Sequence, residues 1–102
     1  MNELLPYLEQ WKTSKLKIFE TEDYAVSITE ELGNTVKFRY IEIDGNGLLT
    51  RATIWESGSL VVEAIDIESE NQVLQKSFET SEQWQLDDKL NWWLSEVATY
   101  EA

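Results

Sequence analysis

The sequence predicts an α+β fold, an antiparallel meander sheet of five or six strands with an N-terminal and a C-terminal helix packed on one face. Apolar residues recur at helical spacing only near the two ends of the chain, and a period of two replaces that spacing between them. Glycine-containing turns separate the period-two runs, and short turns between consecutive strands make antiparallel hairpins. The 102 residues are expected to form one domain, residues 1–102.

The first helix is predicted at about residues 3–13. Leu4, Leu8 and Trp11 recur at spacings of four and three, which places them on one apolar stripe. Pro6 is compatible with this helix because it falls in the first turn, where its missing N–H is not needed.

The second helix is predicted at about residues 82–98. Thr80 or Ser81 is its expected cap, and Thr80 and Gln83 have the spacing of a capping box. Its apolar stripe covers about 100° of arc, the width expected of a helix that packs on a sheet. The stripe consists of Leu86, Leu90, Trp93, Leu94 and Val97.

The runs between the helices alternate apolar and polar residues, and each predicts a half-buried strand. The alternating apolar residues are Leu16 and Ile18; Tyr24, Val26 and Ile28; Val36, Phe38 and Tyr40; and Leu48, Ala52 and Ile54. In the next run the apolar side changes near Ala64, which predicts a bulge, a bend or burial on both faces. Residues 73–78 are either a sixth strand or an extended connection.

The chain has no cysteine and no histidine. Their absence excludes disulfides, thiol chemistry and the usual zinc sites, and it removes the side chain best suited to proton transfer near neutral pH. Asp44-Gly45-Asn46-Gly47 is similar to the start of a calcium loop, but Trp55 stands at the twelfth position, where such a loop needs glutamate. We therefore predict no catalytic residue, no cofactor and no metal site, and a turn at residues 44–47.

Charge is the strongest compositional signal. Twenty acids against eight bases give a net charge of −12, and residues 52–102 hold eleven of the acids but only two of the bases. This excess favours a basic protein partner and disfavours nucleic acid and anionic membranes, which both bind cationic surfaces. Selection for solubility would produce the same excess.

The expected location is the cytoplasm. No run approaches the ~20 apolar residues that span a bilayer. The segment Met1–Pro6 also lacks the basic start of a signal peptide. We expect a monomer or a weak dimer.

Two groups of residues are candidates for partner binding. Asp66, Glu68 and Glu70 share one face if they continue a strand, where they would form an acidic ridge for a basic partner. Plain solvation of the same carboxylates is the alternative. An acid–base pair or a metal site is less favoured, because no accompanying base, nucleophile or glycine loop is visible.

Trp92 is the second candidate. It lies about 200° around the helix from Leu90, with Asp88 and Glu96 four residues away on either side, so it is expected to face water. Tryptophan is enriched among interface anchors, and the two acids would flank it. The alternative is that Trp92 packs on a loop or beside Trp11 on the first helix.

The run Ile54-Trp55-Glu56-Ser57-Gly58 is followed by Glu63, by Asp66 and by a helix rich in Trp and Leu that opens at Ser81. Over about residues 36–97 this pattern resembles immunity proteins of bacterial polymorphic-toxin systems, above all the TriTu group. The resemblance implies a cytoplasmic, non-enzymatic protein that inhibits a cognate toxin stoichiometrically.

A toxin that is a nuclease would offer the cationic groove that an acidic inhibitor fits. The sequence also allows another acidic binding module, either a secretion chaperone or a DNA-mimic inhibitor, and less readily a carboxylate-dependent enzyme. The identity of the neighbouring gene would separate these alternatives.

Overall fold

A five-stranded sheet and three helices make up the fold in the computed structural model, which describes residues 3–101. The elements are α1 (Leu4–Ser14), α2 (Leu16–Thr21), β1 (Ala25–Ile28), β2 (Phe38–Gly45), β3 (Leu48–Trp55), β4 (Ser59–Asp66), β5 (Gln72–Glu79) and α3 (Gln83–Thr99). The strands pair in the order β1-β2-β3-β4-β5, and each neighbouring pair is antiparallel. The predicted α+β meander is confirmed, and residues 73–78 belong to its fifth strand. The extreme ends of the predicted domain, residues 1–2 and 102, lie outside the described residues.

One face of the sheet carries the core, and the terminal helices pack on it, as predicted. Apolar residues of α1 and α3 form one buried cluster with the alternate residues of the central strands. The strand residues of this cluster are Ile41 and Ile43 of β2, Leu48, Ala52 and Ile54 of β3, and Leu60, Val62 and Ala64 of β4. No helix within residues 3–101 has both the length and the apolar character that a membrane crossing needs.

The helices α1 and α3 run side by side in the same direction. The Tyr7 hydroxyl donates to the Asp87 carboxylate at 2.6 Å, and the indole N–H of Trp11 donates to the Asn91 side chain at 2.9 Å. Both pairs are separated by 80 residues in sequence, so the two helices keep a constant register. These bonds join the two ends of the chain into one helical layer.

The bond between Tyr7 and Asp87 makes the fold sensitive to alkaline pH. Burial, and after it the hydrogen bond to Asp87, raises the pKa of Tyr7 from 10.0 to about 12. The unfolded chain loses this proton at lower pH than the folded chain does. The contribution of Tyr7 to stability is therefore complete below about pH 10 and falls as the pH rises toward 12.

We expect the free energy of unfolding to fall more steeply between pH 10 and 12 in the wild type than in Tyr7→Phe. Urea unfolding at stepped pH, followed by circular dichroism, measures both slopes. The phenylalanine variant is the matched control because it keeps the ring and lacks the titrating hydroxyl. Equal slopes would contradict the proposed role of Tyr7.

The buried side of β2 is the opposite of the predicted one. Phe38 and Tyr40 lie on the far side of the sheet, while β2 turns Arg39, Ile41 and Ile43 toward the helices. Val36, the third residue of the predicted apolar set, is exposed and precedes the strand. The prediction failed because it assigned the charged residue to the solvent side.

Arg39 can be buried because each of the three nitrogens of its guanidinium donates a hydrogen bond to an acceptor. It donates to the carbonyl oxygen of Thr29 at 3.0 Å and to that of Leu5 at 3.1 Å, and it forms an ion pair with Glu9 at 2.9 Å. A buried charge is tolerated when it is paired and hydrogen-bonded. Arg39 thereby links α1 to the sheet.

The prediction of a strand around residues 15–18 is also wrong, because these residues enter the short helix α2. Leu16 and Ile18, whose alternation suggested a buried strand face, are 48% and 42% exposed. Phe19 is the buried residue of α2, and it packs edge-on against Trp11 at 6.1 Å. Four residues of alternation are too few to distinguish a strand from a helical turn.

The cap of α3 differs from the predicted one at Thr80 or Ser81. Glu82 is the N-cap, and its side chain and that of Gln85 form the capping box. Thr80 has another role, since its buried hydroxyl donates to the carbonyl oxygen of Gly58 at 2.7 Å.

Two local predictions for the sheet are confirmed. The register of β4 with β5 shifts between Ala64 and Ile65, which confirms an irregularity near Ala64, although the extra residue is Val73 on β5 and the burial alternation of β4 continues through it, so that Ile65 is exposed and Asp66 is buried. The predicted turn at residues 44–47 is present, with Asp44 and Gly45 ending β2 and with Asn46 and Gly47, both at positive φ, connecting it to β3. The Asn46 side chain donates to the carbonyl oxygens of Val97 and Tyr100 and so caps the end of α3.

Candidate partner-binding surfaces

The predicted acidic ridge does not form a strand face, because β4 ends at Asp66. Glu68 and Glu70 lie in the turn that follows, and both are exposed. Asp66 is only 6% exposed, whereas Glu68 and Glu70 are open to solvent. The structure therefore separates the three carboxylates that the sequence placed together.

Asp66 holds the segment that follows α3. Its carboxylate accepts hydrogen bonds from the Tyr100 hydroxyl at 2.5 Å and from the Ser69 backbone N–H at 2.9 Å. The bond from Tyr100, and then that from Ser69, lowers the pKa of Asp66, while the same bond raises the pKa of Tyr100. Asp66 thus has an internal role at neutral pH.

Trp92 was predicted to face water, and this orientation is wrong. Its ring is half-buried and meets the ring of Phe78 edge-on, with centroids 5.5 Å apart. The helical wheel places Trp92 away from the core stripe, but the edge strand β5 extends far enough to cover it with Phe78. Asp88 and Glu96, its expected neighbours, are exposed. A partner contact by these three residues stays a prediction.

The exposed tryptophan of α3 is Trp84, at 68% exposure. It borders an open cleft of about 490 Å³ whose lining includes the carboxylates Glu3, Glu56 and Glu82. Sequence reasoning missed this residue, although the wheel argument applied to Trp92 holds equally here. Trp84 lies two residues before Leu86, so it too is about 200° from the buried stripe.

A second surface lies on the side of the sheet that faces away from α1 and α3. Strand register arranges its side chains in rows that cross β2 to β5. We call this surface the open face. Its rows are Asp44–Leu49–Ile65–Gln72, Glu42–Arg51–Glu63–Gln75, Tyr40–Thr53–Val61–Ser77, and Phe38–Trp55 with Ser59–Glu79.

The middle of the open face is an ionic cluster around Arg51. The guanidinium forms an ion pair with Glu42 at 2.7 Å and lies 4.1 Å from the centre of the Tyr40 ring. The hydrogen bond with Glu42 is the main cause that raises the pKa of Arg51, and the charge of Glu63 acts in the same direction. The positive charge of Arg51 is therefore countered within the face itself.

Apolar groups flank this cluster on both sides. Leu49 and Ile65, which are direct cross-strand partners, are 46% and 43% exposed. Gln72 of β5, which is exposed, continues this row beside Ile65. At the other end of the face the rings of Phe38 and Trp55 lie 6.0 Å apart. Sequence periodicity could not show this surface, because the residues become neighbours only through strand pairing.

The acids of residues 3–101 outnumber the bases twenty to eight, so most of them cannot each have a cation of their own. Ion pairs between described side chains engage Glu9, Glu42 and Asp88, whereas the chain has twenty acids. Within residues 3–101 no three acids come together as a group that could hold a metal ion. The carboxylates are therefore distributed over the surface.

Comparison with known proteins identifies the family. No curated protein matches the chain. The family described as "Immunity protein TriTu" matches residues 6–96, which include most of α1, the whole sheet and most of α3. The match therefore extends over nearly all of the described fold, including the open face. The chain belongs to the TriTu family of immunity proteins.

Proposed function

We propose that this protein binds a cognate bacterial toxin domain and neutralises it by covering a basic surface of that domain. The observation that carries the proposal is the match to an immunity family over residues 6–96, together with a net charge of −12. Inhibition is stoichiometric and needs no catalytic group on this chain. The proposed site of action is the cytoplasm.

A nuclease is the class of toxin that we propose. A nuclease has to present cationic groups to the phosphate backbone of its substrate, and such a groove attracts a strongly acidic protein. The exposed carboxylates of Glu68, Glu70, Asp88 and Glu96 contribute to this long-range attraction. The observed contacts of Trp92 and Asp66 lie within the chain, so we assign them no part in this long-range attraction, and their direct contact with a partner stays a prediction.

The test is protection of cells from the protein encoded immediately upstream of this gene. Expression of the C-terminal domain of that protein is expected to stop growth, and co-expression of this chain is expected to restore it. Purified chain should also abolish hydrolysis of DNA or RNA by the domain at a 1:1 ratio. Continued killing in the presence of folded chain, without a complex between the two proteins, would refute the proposal.

The same pair of proteins tests the electrostatic part. Salt screens charges separated by more than about 10 Å at 0.1 M ionic strength. We therefore expect the association rate to fall about tenfold or more between 0.02 and 0.5 M salt, with a much smaller change in the dissociation rate.

A variant in which Glu68, Glu70 and Glu96 become glutamine and Asp88 becomes asparagine should associate more slowly and with a shallower salt slope. Surface plasmon resonance measures both rates. The corresponding control changes Lys12, in the last turn of α1, and Lys15, which follows α1, to glutamine, and it should leave the association rate equal or higher. An association rate that does not change with salt would contradict the electrostatic mechanism, but it would not contradict inhibition of the toxin.

A further inference from the structure

We propose that the open face of the sheet is the surface on which the toxin docks, and that the toxin presents basic groups to the carboxylates of this face and apolar groups to Leu49 and Ile65. The inference rests on the proposed function and goes further by assigning the contact. It replaces the surface of α3 that the sequence suggested.

The first argument is the apolar content of a face that no described helix covers. Leu49 and Ile65 are direct cross-strand partners on β3 and β4, and each keeps more than 40% of its surface exposed. Single exposed aliphatic residues are ordinary, whereas a contiguous group with a polar rim is typical of an interaction site. The polar rim here is Asp44 in the same row and Glu42, Arg51 and Glu63 in the next row.

The second argument is size. Strands β2 to β5 each have eight residues, so the face is about 26 Å long, and four strands make it about 19 Å wide. A stable interface takes about 800 Å² of accessible surface from each partner, and a face of these dimensions with projecting side chains is of that order. The cleft beside Trp84 offers one exposed aromatic ring, with the carboxylates Glu3, Glu56 and Glu82 in its lining.

The third argument is charge, and it determines the occupant. The rows contain four carboxylates, those of Glu42, Asp44, Glu63 and Glu79, and one cation, Arg51, which Glu42 already neutralises. A second copy of this chain also has a net charge of −12, so the open face would repel it. A basic protein is attracted, and contact with the apolar row would then slow its release.

The double variant Leu49→Gln with Ile65→Gln tests the assignment. It removes the exposed apolar pair without altering the core, so the melting temperature should stay near that of the wild type. Affinity for the upstream toxin domain should fall about 30-fold or more, which corresponds to the loss of an interface anchor.

The chain provides a closely matched control. Leu16 and Ile18 of α2 are 48% and 42% exposed, against 46% and 43% for Leu49 and Ile65. Leu16→Gln with Ile18→Gln therefore makes the same chemical change at the same exposure away from the sheet. This variant should bind the toxin within threefold of the wild type.

A second readout does not depend on affinity. Because the chain has no cysteine, a single cysteine can be placed at Gln75 on the open face or at exposed Thr13 on α1. Bound toxin should slow alkylation at position 75 at least tenfold and leave position 13 unchanged. If the double glutamine variant fails to fold, this measurement still tests whether the toxin covers the open face.

The outcomes separate the two proposals. If the Leu49→Gln, Ile65→Gln variant binds the toxin as tightly as the wild type and Trp84→Ala does not bind it, the contact lies at α3. That result would overturn the inference and leave the proposed function standing. If the wild type is a dimer in analytical ultracentrifugation and the Leu49→Gln, Ile65→Gln variant is a monomer, the open face binds a second copy of the chain. That result would also overturn the inference. Absence of any wild-type complex would overturn both proposals.

Discussion

Replacing Trp93 by alanine is expected to lower the free energy of unfolding by about 3–5 kcal/mol. Trp93 has no exposed surface, and its ring lies 6.0 Å from that of Trp11, so the truncation opens a cavity between α3, α1 and the sheet. Its indole N–H also donates to the Thr50 hydroxyl at 2.7 Å, and Thr50 in turn donates to the carbonyl oxygen of Glu63. The alanine variant loses the packing and this bond together.

Urea unfolding followed by far-ultraviolet circular dichroism measures the change without relying on tryptophan fluorescence. Trp93→Phe keeps most of the ring volume, so it isolates the hydrogen bond, whose loss should cost about 1–2 kcal/mol. Trp84→Ala is the control for tryptophan loss at a site that is 68% exposed, and its effect should stay within about 0.5 kcal/mol. A loss below about 1 kcal/mol in Trp93→Ala would show that the helical layer does not depend on this residue.

Replacing Gly58 by alanine is expected to cost about 3 kcal/mol or more, as the sum of backbone strain and overpacking. Gly58 has φ of +99°, a conformation that residues with a side chain rarely adopt. A Cβ at this position would also overlap the backbone carbonyl oxygen of Thr80. That backbone cannot retreat easily, because the Thr80 N–H and hydroxyl both donate to the carbonyl oxygen of Gly58.

Gly47→Ala separates the two causes. Gly47 also has positive φ, +77°, but no atom outside its chain neighbours lies within 4 Å of the position of a Cβ there. This variant should show the conformational cost alone, about 1–2 kcal/mol. Thermal and urea unfolding of both variants measure the difference, and equal losses would show that the contact with Thr80 is unimportant.

The elements predicted correctly are those whose pattern is long and locally determined. The apolar stripe from Leu86 to Val97 has five members, so chance alternation cannot imitate it, and α3 was placed within one residue at each end. The turn at residues 44–47 follows from the conformational preferences of Asn and Gly alone. Short patterns failed, since Leu16 and Ile18 alternate without either being buried.

The candidate surfaces were harder to predict, because contacts distant in sequence determine them. The helical wheel of α3 contains no information about β5, so it could not show that Phe78 covers Trp92. Leu49 and Ile65 become neighbours only when β3 pairs with β4 in one particular register. The buried position of Arg39 likewise depends on acceptors supplied by α1. Leu5 lies 34 residues and Glu9 lies 30 residues before Arg39 in the chain.

The pairing of α1 with α3 across 80 residues has a consequence for protein synthesis. Each hairpin of the sheet can form as soon as its two strands leave the ribosome, but α3 is translated after all five. Until then only α1 and Phe19 of α2 cover the apolar side of the sheet among the described helices, and Trp11 lacks the ring of Trp93. A premature stop codon before Gln83 therefore produces a fragment with an uncovered hydrophobic sheet, which quality-control proteases would degrade in the cell.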